Sequence, residues 1–249
     1  MAESDLKIHK GGFPQTRLSA IIASGSSDQN ERARGLDILA STYWTPVYKY
    51  IRMKWNKTGE DAKELTQSFF AEAIEKGFFA KYDSSKARFR TFLRTCVDGF
   101  VQNENKAAGR IKRGGDTITV PLDFEEIDES AFAHRPGENE IDDYFENEFR
   151  RSLLSAAINT LRSELSSSGK EVQMRLFERY VLEDEQTDTK RSYKDLADEF
   201  NLTVTTITNH LAFARREFRR IVLEKLRDLT GNEEEFQREA RAMLGVDPS

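Results

Sequence analysis

The sequence predicts an all-α protein made of two small helical domains joined by an acidic linker. Apolar residues recur at three- and four-residue spacing through most of the 249 positions, which is the period of an amphipathic helix. With 38% apolar and 33% charged residues, the composition favours small helical domains with much solvated surface over one large core. Residues 114–140 contain Pro, Gly and many acids without a sustained period, which is typical of a linker.

The first helical block, residues 31–113, follows an N-terminal extension of residues 1–30 and contains three long helical patterns. The apolar stripe of the first helix consists of Leu36, Leu39, Tyr43, Val47 and Ile51. We expect Pro46 to bend or restart this helix, because proline removes a backbone donor. Thr58 and Gly59 mark the break before the second helix.

Charge is distributed in blocks, although the whole chain has a formal net charge of −5. Residues 86–113 have a local charge of +6, residues 116–148 of −11 and residues 203–227 of +4. Two basic blocks separated by an acidic one indicate a modular protein whose basic parts have an anionic partner.

The second block, residues 141–229, contains a helix-turn-helix pattern. Ser192 and Asp195 fit a capping box, so a short helix should begin at Tyr193. Asn201 stands where a residue of left-handed conformation would end that helix, and Thr203 can cap the next one.

The faces of the second helix point to a DNA reader. Its buried face should contain Ile207, Leu211, Ala214 and Phe218. Its outward face should contain Thr205, Asn209, Ala212, Phe213, Arg216 and Arg220, flanked by Thr206, Thr208, Arg215 and Arg219. Thr and Asn can reach base edges in the major groove, and arginines suit phosphates. The alternative is a helical hairpin whose arginines only solvate the surface.

The third helix of the first block combines basic side chains with aromatic ones. Its polar candidates for nucleic-acid contact are Arg88, Arg90, Asn103, Lys106, Arg110, Lys112 and Arg113. Aromatic side chains beside basic ones can hold single-stranded nucleic acid by stacking and phosphate attraction. The alternative interpretation, which we favour for Phe89, Phe92 and Phe100, is that the aromatic rings are core.

We find no constellation for catalysis or metal binding. The three histidines, His9, His134 and His210, are scattered, and the chain has neither an H-E-x-x-H motif nor a phosphate-binding Gly-rich loop. Cys96, the single cysteine, stands among apolar residues and is expected to be a buried, inert thiol. We therefore predict a protein that is not an enzyme and needs no cofactor or metal. Without a signal-peptide pattern or a long apolar run, we also expect a soluble cytoplasmic protein.

Several segments resemble RNA polymerase sigma factors of the extracytoplasmic-function type. The stretch "DAKELTQSFFAEAIEKGFF" contains Glu64-Leu65-Thr66-Gln67-Ser68-Phe69, which resembles the core of the family's region 2.2. The stretches "FPQTRLSAI", "YWTPVYKYIR" and "RFRTFL" are similar to the subgroup abundant in planctomycetes. The terminal "REFRRIVLEKLRDLT" and "EEEFQREARAML" resemble that subgroup's C-terminal extension, here residues 230–249.

The resemblance implies a transcription initiation factor with a region 2-like bundle and a region 4-like helix-turn-helix. Its partners would be promoter DNA and core polymerase, through the clamp helices of the largest subunit and the flap of the second-largest, and an anti-sigma factor where one exists. The residues implied to face the clamp helices are Asp61, Glu64, Gln67 and Ser68. The polar candidates of the third helix, from Arg88 to Arg113, would bind and melt the −10 element. The residues implied to read the −35 element are Thr203, Thr205, Thr206, Thr208, Asn209, Phe213, Arg215, Arg216, Arg219 and Arg220.

Two other functions remain open at this point. The chain could be a helix-turn-helix regulator that binds duplex DNA without joining polymerase. It could also be a helical interaction protein in which the DNA-binding unit is degenerate.

Overall fold

The protein is all-helical in the part of the chain that its computed structural model describes, residues 19–110, 138–182 and 191–245. The helices are α1 (Ala20–Ala23), α2 (Gln29–Lys54), α3 (Gly59–Glu75), α4 (Phe89–Arg110), α5 (Glu138–Ser167), α6 (Glu171–Phe177), α7 (Tyr193–Phe200), α8 (Val204–Asp228) and α9 (Glu233–Leu244). A 3₁₀ turn at Phe79–Lys81 and a π-helical turn at Glu178–Leu182 complete the described elements. The prediction of an all-α fold is confirmed for these residues.

Helix α2 runs through Pro46, so of the two expected effects of this proline the restart does not occur. An interior proline removes one backbone hydrogen bond and costs roughly 3 kcal/mol. Here the ring of Pro46 is itself buried, and its neighbours Tyr43 and Val47 have almost no exposed surface. Packing of these side chains offsets the lost hydrogen bond, so tertiary contacts override the local preference.

The main core is formed by α1, α2, α3, α4, α9, the first half of α5 and the C-terminal end of α8. Its largest fully buried side chains are Tyr43, Tyr50, Phe69, Phe89, Phe145, Phe149, Phe236, Leu39, Ile51, Leu93 and Leu153. Aromatic pairs join its helices: Tyr43 stacks on Phe149 with ring centroids 5.3 Å apart, and Tyr50 meets Phe145 edge-on at 5.5 Å. Such pairs stabilise the fold by about 0.5–1.5 kcal/mol each, in addition to the stabilisation from the apolar area they bury.

Helix α5 continues from the main core into a second core. Its first half contributes Phe145 and Phe149 to the main core, and its second half contributes Leu161 and Leu165 to a cluster with α6 and α8. The described contacts therefore cross the domain boundary predicted at residue 140. The division into two domains stays a prediction, and most of the linker predicted at residues 114–140 lies outside the described residues.

The C-terminal helix α9 is fastened to α4 by buried acids. One oxygen of Glu235 accepts hydrogen bonds from the Tyr82 hydroxyl (3.0 Å) and the Gly231 N–H (2.8 Å), and the other accepts from the Phe89 N–H (3.0 Å). Phe236, which follows it, is buried in the main core. The extension predicted at residues 230–249 is thus an integral part of the fold as far as it is described.

These contacts predict that two fragments of the chain associate without a covalent link. Residues 1–115 and 136–249, co-expressed as separate chains, should co-purify through a tag on one of them. Phe149→Ala should weaken the association, because deleting a buried phenyl ring costs about 3–5 kcal/mol. Ser155→Ala, at an exposed position of the same helix, is the matched control. Fragments that elute separately at micromolar concentration would contradict the shared core.

Candidate nucleic-acid interface

The helix-turn-helix begins with a reciprocal cap. The Ser192 hydroxyl accepts a hydrogen bond from the Asp195 N–H at 3.2 Å, and the Asp195 carboxylate accepts from the Ser192 N–H at 2.9 Å. Hydrogen bonds from Ser192 hold the pKa of Asp195 below its ordinary value. The predicted capping box and the predicted start of α7 at Tyr193 are both confirmed.

The joint between α7 and α8 has the predicted geometry. Asn201 adopts the left-handed conformation, with φ 52° and ψ 48°, and ends α7. The next N–H, that of Leu202, returns to the Ala197 carbonyl at 2.9 Å, and so satisfies an acceptor of the last turn. Thr203 caps α8 by accepting the Thr206 N–H at 3.1 Å.

Buried side chains hold the two helices at this joint. The helix-turn-helix core consists of Leu176, Leu196, Ala197, Ile207 and Leu211. Because Leu176 lies on α6, this helix supports the other two from behind. Ala214 and Ile221 continue the buried face of α8 into the second core. The opposite face of α8 is thereby fixed toward solvent.

Most of the predicted reading residues lie on that face. The exposed ones are Thr203, Thr205, Thr208, Asn209, Arg215, Arg216 and Arg219, whereas Thr206 is half-buried. The Thr205 hydroxyl and the Asn209 amide make no hydrogen bond within the described residues. Their polar groups are available to a ligand.

Phe213 lies elsewhere than predicted. It is half-buried against the second core instead of pointing outward. The ammonium group of Lys170 lies 4.4 Å from the centre of its ring, a contact that the sequence pattern did not show. Phe213 therefore anchors α8 to the start of α6.

Arg220 is also less available than predicted. Its guanidinium pairs with Glu217 at 3.0 Å, Glu224 at 2.9 Å and Glu164 of α5 at 2.5 Å. These carboxylates, Glu217 first among them, raise the pKa of Arg220 further above its already high ordinary value. Three acids around one cation repel a phosphate, so Arg220 joins α8 to α5 in this conformation. The expected phosphate contact at this position is not supported.

The basic helix α4 divides into a packed half and an exposed half. Arg90 is 5% exposed, and its guanidinium donates to Glu146 at 2.8 Å and to Glu239 at 2.6 Å. DNA cannot reach Arg90 in this conformation, which contradicts its assignment to the −10 element. Arg88 is half-exposed, 3.5 Å from Glu239. Asn103 and Lys106 are exposed on the second half of the helix.

The remaining candidates for the −10 element lie at the end of the described part of α4 or beyond it. Arg110 ends α4, and its side chain is outside the described part, as are Lys112 and Arg113.

Beside Arg88, a polar cavity of about 440 Å³ opens between α4 and α5, and it is lined by both arginines and acids, among them Arg150 and Asp143.

The residues implied to bind polymerase share one face of α3. Asp61, Glu64 and Ser68 are exposed, and Gln67 beside them is half-buried. On the other side of the helix, Phe69 is fully buried in the main core. The structure therefore brings these four side chains together as a polar strip on a well-anchored helix.

Of the groups considered for other chemistry, Cys96 and His210 fall within the described residues. Cys96 is half-buried, and burial raises the pKa of its thiol. Within the described ranges, no group of His, Cys, Asp and Glu side chains is arranged to hold a metal ion. The described helices include none with both the length and the apolar surface to cross a membrane.

The chain matches no known family model, no curated protein and no solved structure.

The left-handed residue at the joint gives a stability prediction. Asn201→Val should destabilise the protein by about 1–2 kcal/mol, because a side chain with a Cβ branch clashes in this conformation. Asn201→Gly should leave the free energy of unfolding within roughly a few tenths of a kcal/mol of the wild-type value, since glycine adopts a positive φ freely. Urea unfolding followed by circular dichroism measures both variants. Equal stability of the valine and glycine variants would show that the joint has another conformation in solution.

Proposed function

We propose that this chain is a transcription initiation factor of the sigma type, which binds core RNA polymerase and directs it to promoters. The observation that carries the proposal is the helix-turn-helix of α7 and α8, with its capped start, left-handed joint and exposed polar face. The resemblance of the segment around Glu64 and Gln67 to region 2.2 supports the polymerase part. Such a factor acts in the cytoplasm, at the nucleoid.

The charges of α8 suit the major groove of duplex DNA. From Val204 to Arg216 the helix carries no acid, and its N-terminal turns present small polar side chains. The groove, roughly 12 Å wide, admits a helix whose N-terminal residues contact base edges. Arg215, Arg216 and Arg219 follow within two turns, where they can hold the phosphates that fix the register.

The strip on α3 is the proposed polymerase contact. An anchored helix with exposed polar groups on successive turns offers a rigid docking edge, because its buried side fixes the direction of the exposed one. We assign Asp61, Glu64, Gln67 and Ser68 to this contact. Arg88, Asn103 and Lys106 remain candidates for the −10 element, and Arg90 supports their helix from inside. Strand opening would draw on tighter binding to melted DNA and would need no cofactor.

The polymerase contact is tested by a double substitution on α3. Glu64→Ala with Gln67→Ala should weaken binding to core polymerase while leaving helicity unchanged, since both residues lie outside the core. A pull-down with purified core enzyme measures the affinity. Glu75→Ala, at another exposed acid of α3, is the matched control. A chain that binds promoter-like duplexes but never retains core polymerase would instead be a regulator that acts without joining it.

The reading face is tested by separating base contacts from phosphate contacts. Asn209→Ala should relax sequence preference at one position, because a base contact discriminates by about 1–3 kcal/mol. Arg216→Ala should weaken binding to all sequences alike and reduce the salt slope by about one.

The measurement is transcription from a library of −35 variants by the reconstituted polymerase at two salt concentrations. Arg220→Ala is the comparison for Arg216→Ala. The guanidinium of Arg220 is already paired with three carboxylates, so its removal should change the salt slope less. An unchanged preference profile for Asn209→Ala would remove Asn209 from the reading face.

A further inference from the structure

Three threonines at the start of α8 use their hydroxyl groups within the protein. The hydroxyls of Thr203 and Thr206 hydrogen-bond to each other at 2.8 Å. The Thr208 hydroxyl donates to the Val204 carbonyl at 2.9 Å, one turn earlier. A hydroxyl that donates to its own helix has no proton left for a base edge. The Thr208 oxygen can still accept a hydrogen bond, and the methyl group beside it is also left for a ligand.

This methyl group lies in a row with two other apolar side chains. Val204, Thr208 and Ala212 are four residues apart along α8, which places them on one side of the helix, and all three are exposed. We call these three residues the methyl stripe. Val204 is 47% exposed, and it is one of three large apolar side chains that are exposed in the described ranges.

The methyl stripe runs beside the polar residues of the same face. Thr205 and Asn209 follow Val204 and Thr208 directly in sequence, so the two rows lie side by side on the first turns of α8. Core packing does not account for Val204, because the buried face of the helix is that of Ile207 and Leu211. A row of exposed apolar groups beside a row of polar groups suits a partner surface on which apolar and polar groups also lie side by side.

The floor of the major groove is such a surface. Of the four bases only thymine presents a methyl group there, and apolar side chains such as Ala and the Thr methyl recognise it. We infer that the methyl stripe selects thymine by contact with its 5-methyl group, while Asn209 and Thr205 read the polar edges of neighbouring bases. This inference rests on the proposed binding of duplex DNA and adds a second kind of readout to it.

Replacing thymine by deoxyuridine tests the inference, because it removes only the 5-methyl group. Duplexes are first enriched from a randomised library on the full-length protein, and each thymine of an enriched site is then replaced in turn. Wild-type protein should bind about threefold to fivefold more weakly for each contacted methyl removed. Val204→Ala should bind the thymine and uracil duplexes equally at the position that Val204 contacts.

Two substitutions of Thr208 separate its methyl from its hydroxyl. Thr208→Val keeps a methyl group and loses the hydroxyl, so it should retain the discrimination between thymine and uracil, whatever its overall affinity. Thr208→Ser keeps the hydroxyl and loses the methyl, and should lose the discrimination at one position. The reverse result would assign the readout to the hydroxyl and overturn the inference. Circular dichroism of each variant confirms that α8 is formed.

Failure of the inference and failure of the proposed function give different results. Enriched duplexes that bind equally well with thymine and uracil at every position would overturn the methyl readout and leave DNA binding intact. A library from which no sequence is enriched would overturn sequence-specific DNA binding, and the inference with it.

Discussion

A buried cation, the guanidinium of Arg90, sets the arrangement of the helices around it. Its partners come from two other helices: Glu146 and the ring of Phe149 on α5, and Glu239 on α9. A buried charge without a partner is very unfavourable, and removing one partner of such a pair costs about 3–5 kcal/mol. Helices α4, α5 and α9 therefore pack together around Arg90, since α5 and α9 each supply one of the two carboxylates that this α4 guanidinium contacts.

The same region shows how a helix can be capped from far along the chain. The first N–H groups of α4 have no acceptor within the helix, and that of Phe89 finds one in Glu235, 146 residues later. A carboxylate at a helix N-terminus also interacts favourably with the helix dipole. The position of α4, and of the exposed Asn103 and Lys106 on it, thus depends on the C-terminal helix. Truncating residues 230–249 would disturb the proposed −10 surface, although none of the residues of that surface lies in the removed segment.

Features with local causes could be predicted from the sequence, and features with distant causes could not. The cap at Ser192 and the left-handed Asn201 depend on residues within one turn, so the pattern contained them. Arg90 has the same local context as an exposed basic residue, and the partners that bury it stand 56 and 149 positions away. Arg220 is intermediate: two of its acids lie within four residues, but Glu164 is visible only in the fold. The DNA-binding part of the proposed function is argued from the geometry of α7 and α8, and its polymerase-binding part from the sequence resemblance.

Helix α5 has a mechanical consequence. It is one continuous helix of 30 residues, and its two halves are built into different cores. At 1.5 Å per residue it is about 45 Å long, and changing the distance between its ends would require breaking backbone hydrogen bonds in its middle. The spacing between the residues that α5 contributes to the main core and those it contributes to the second core is therefore set by the helix itself.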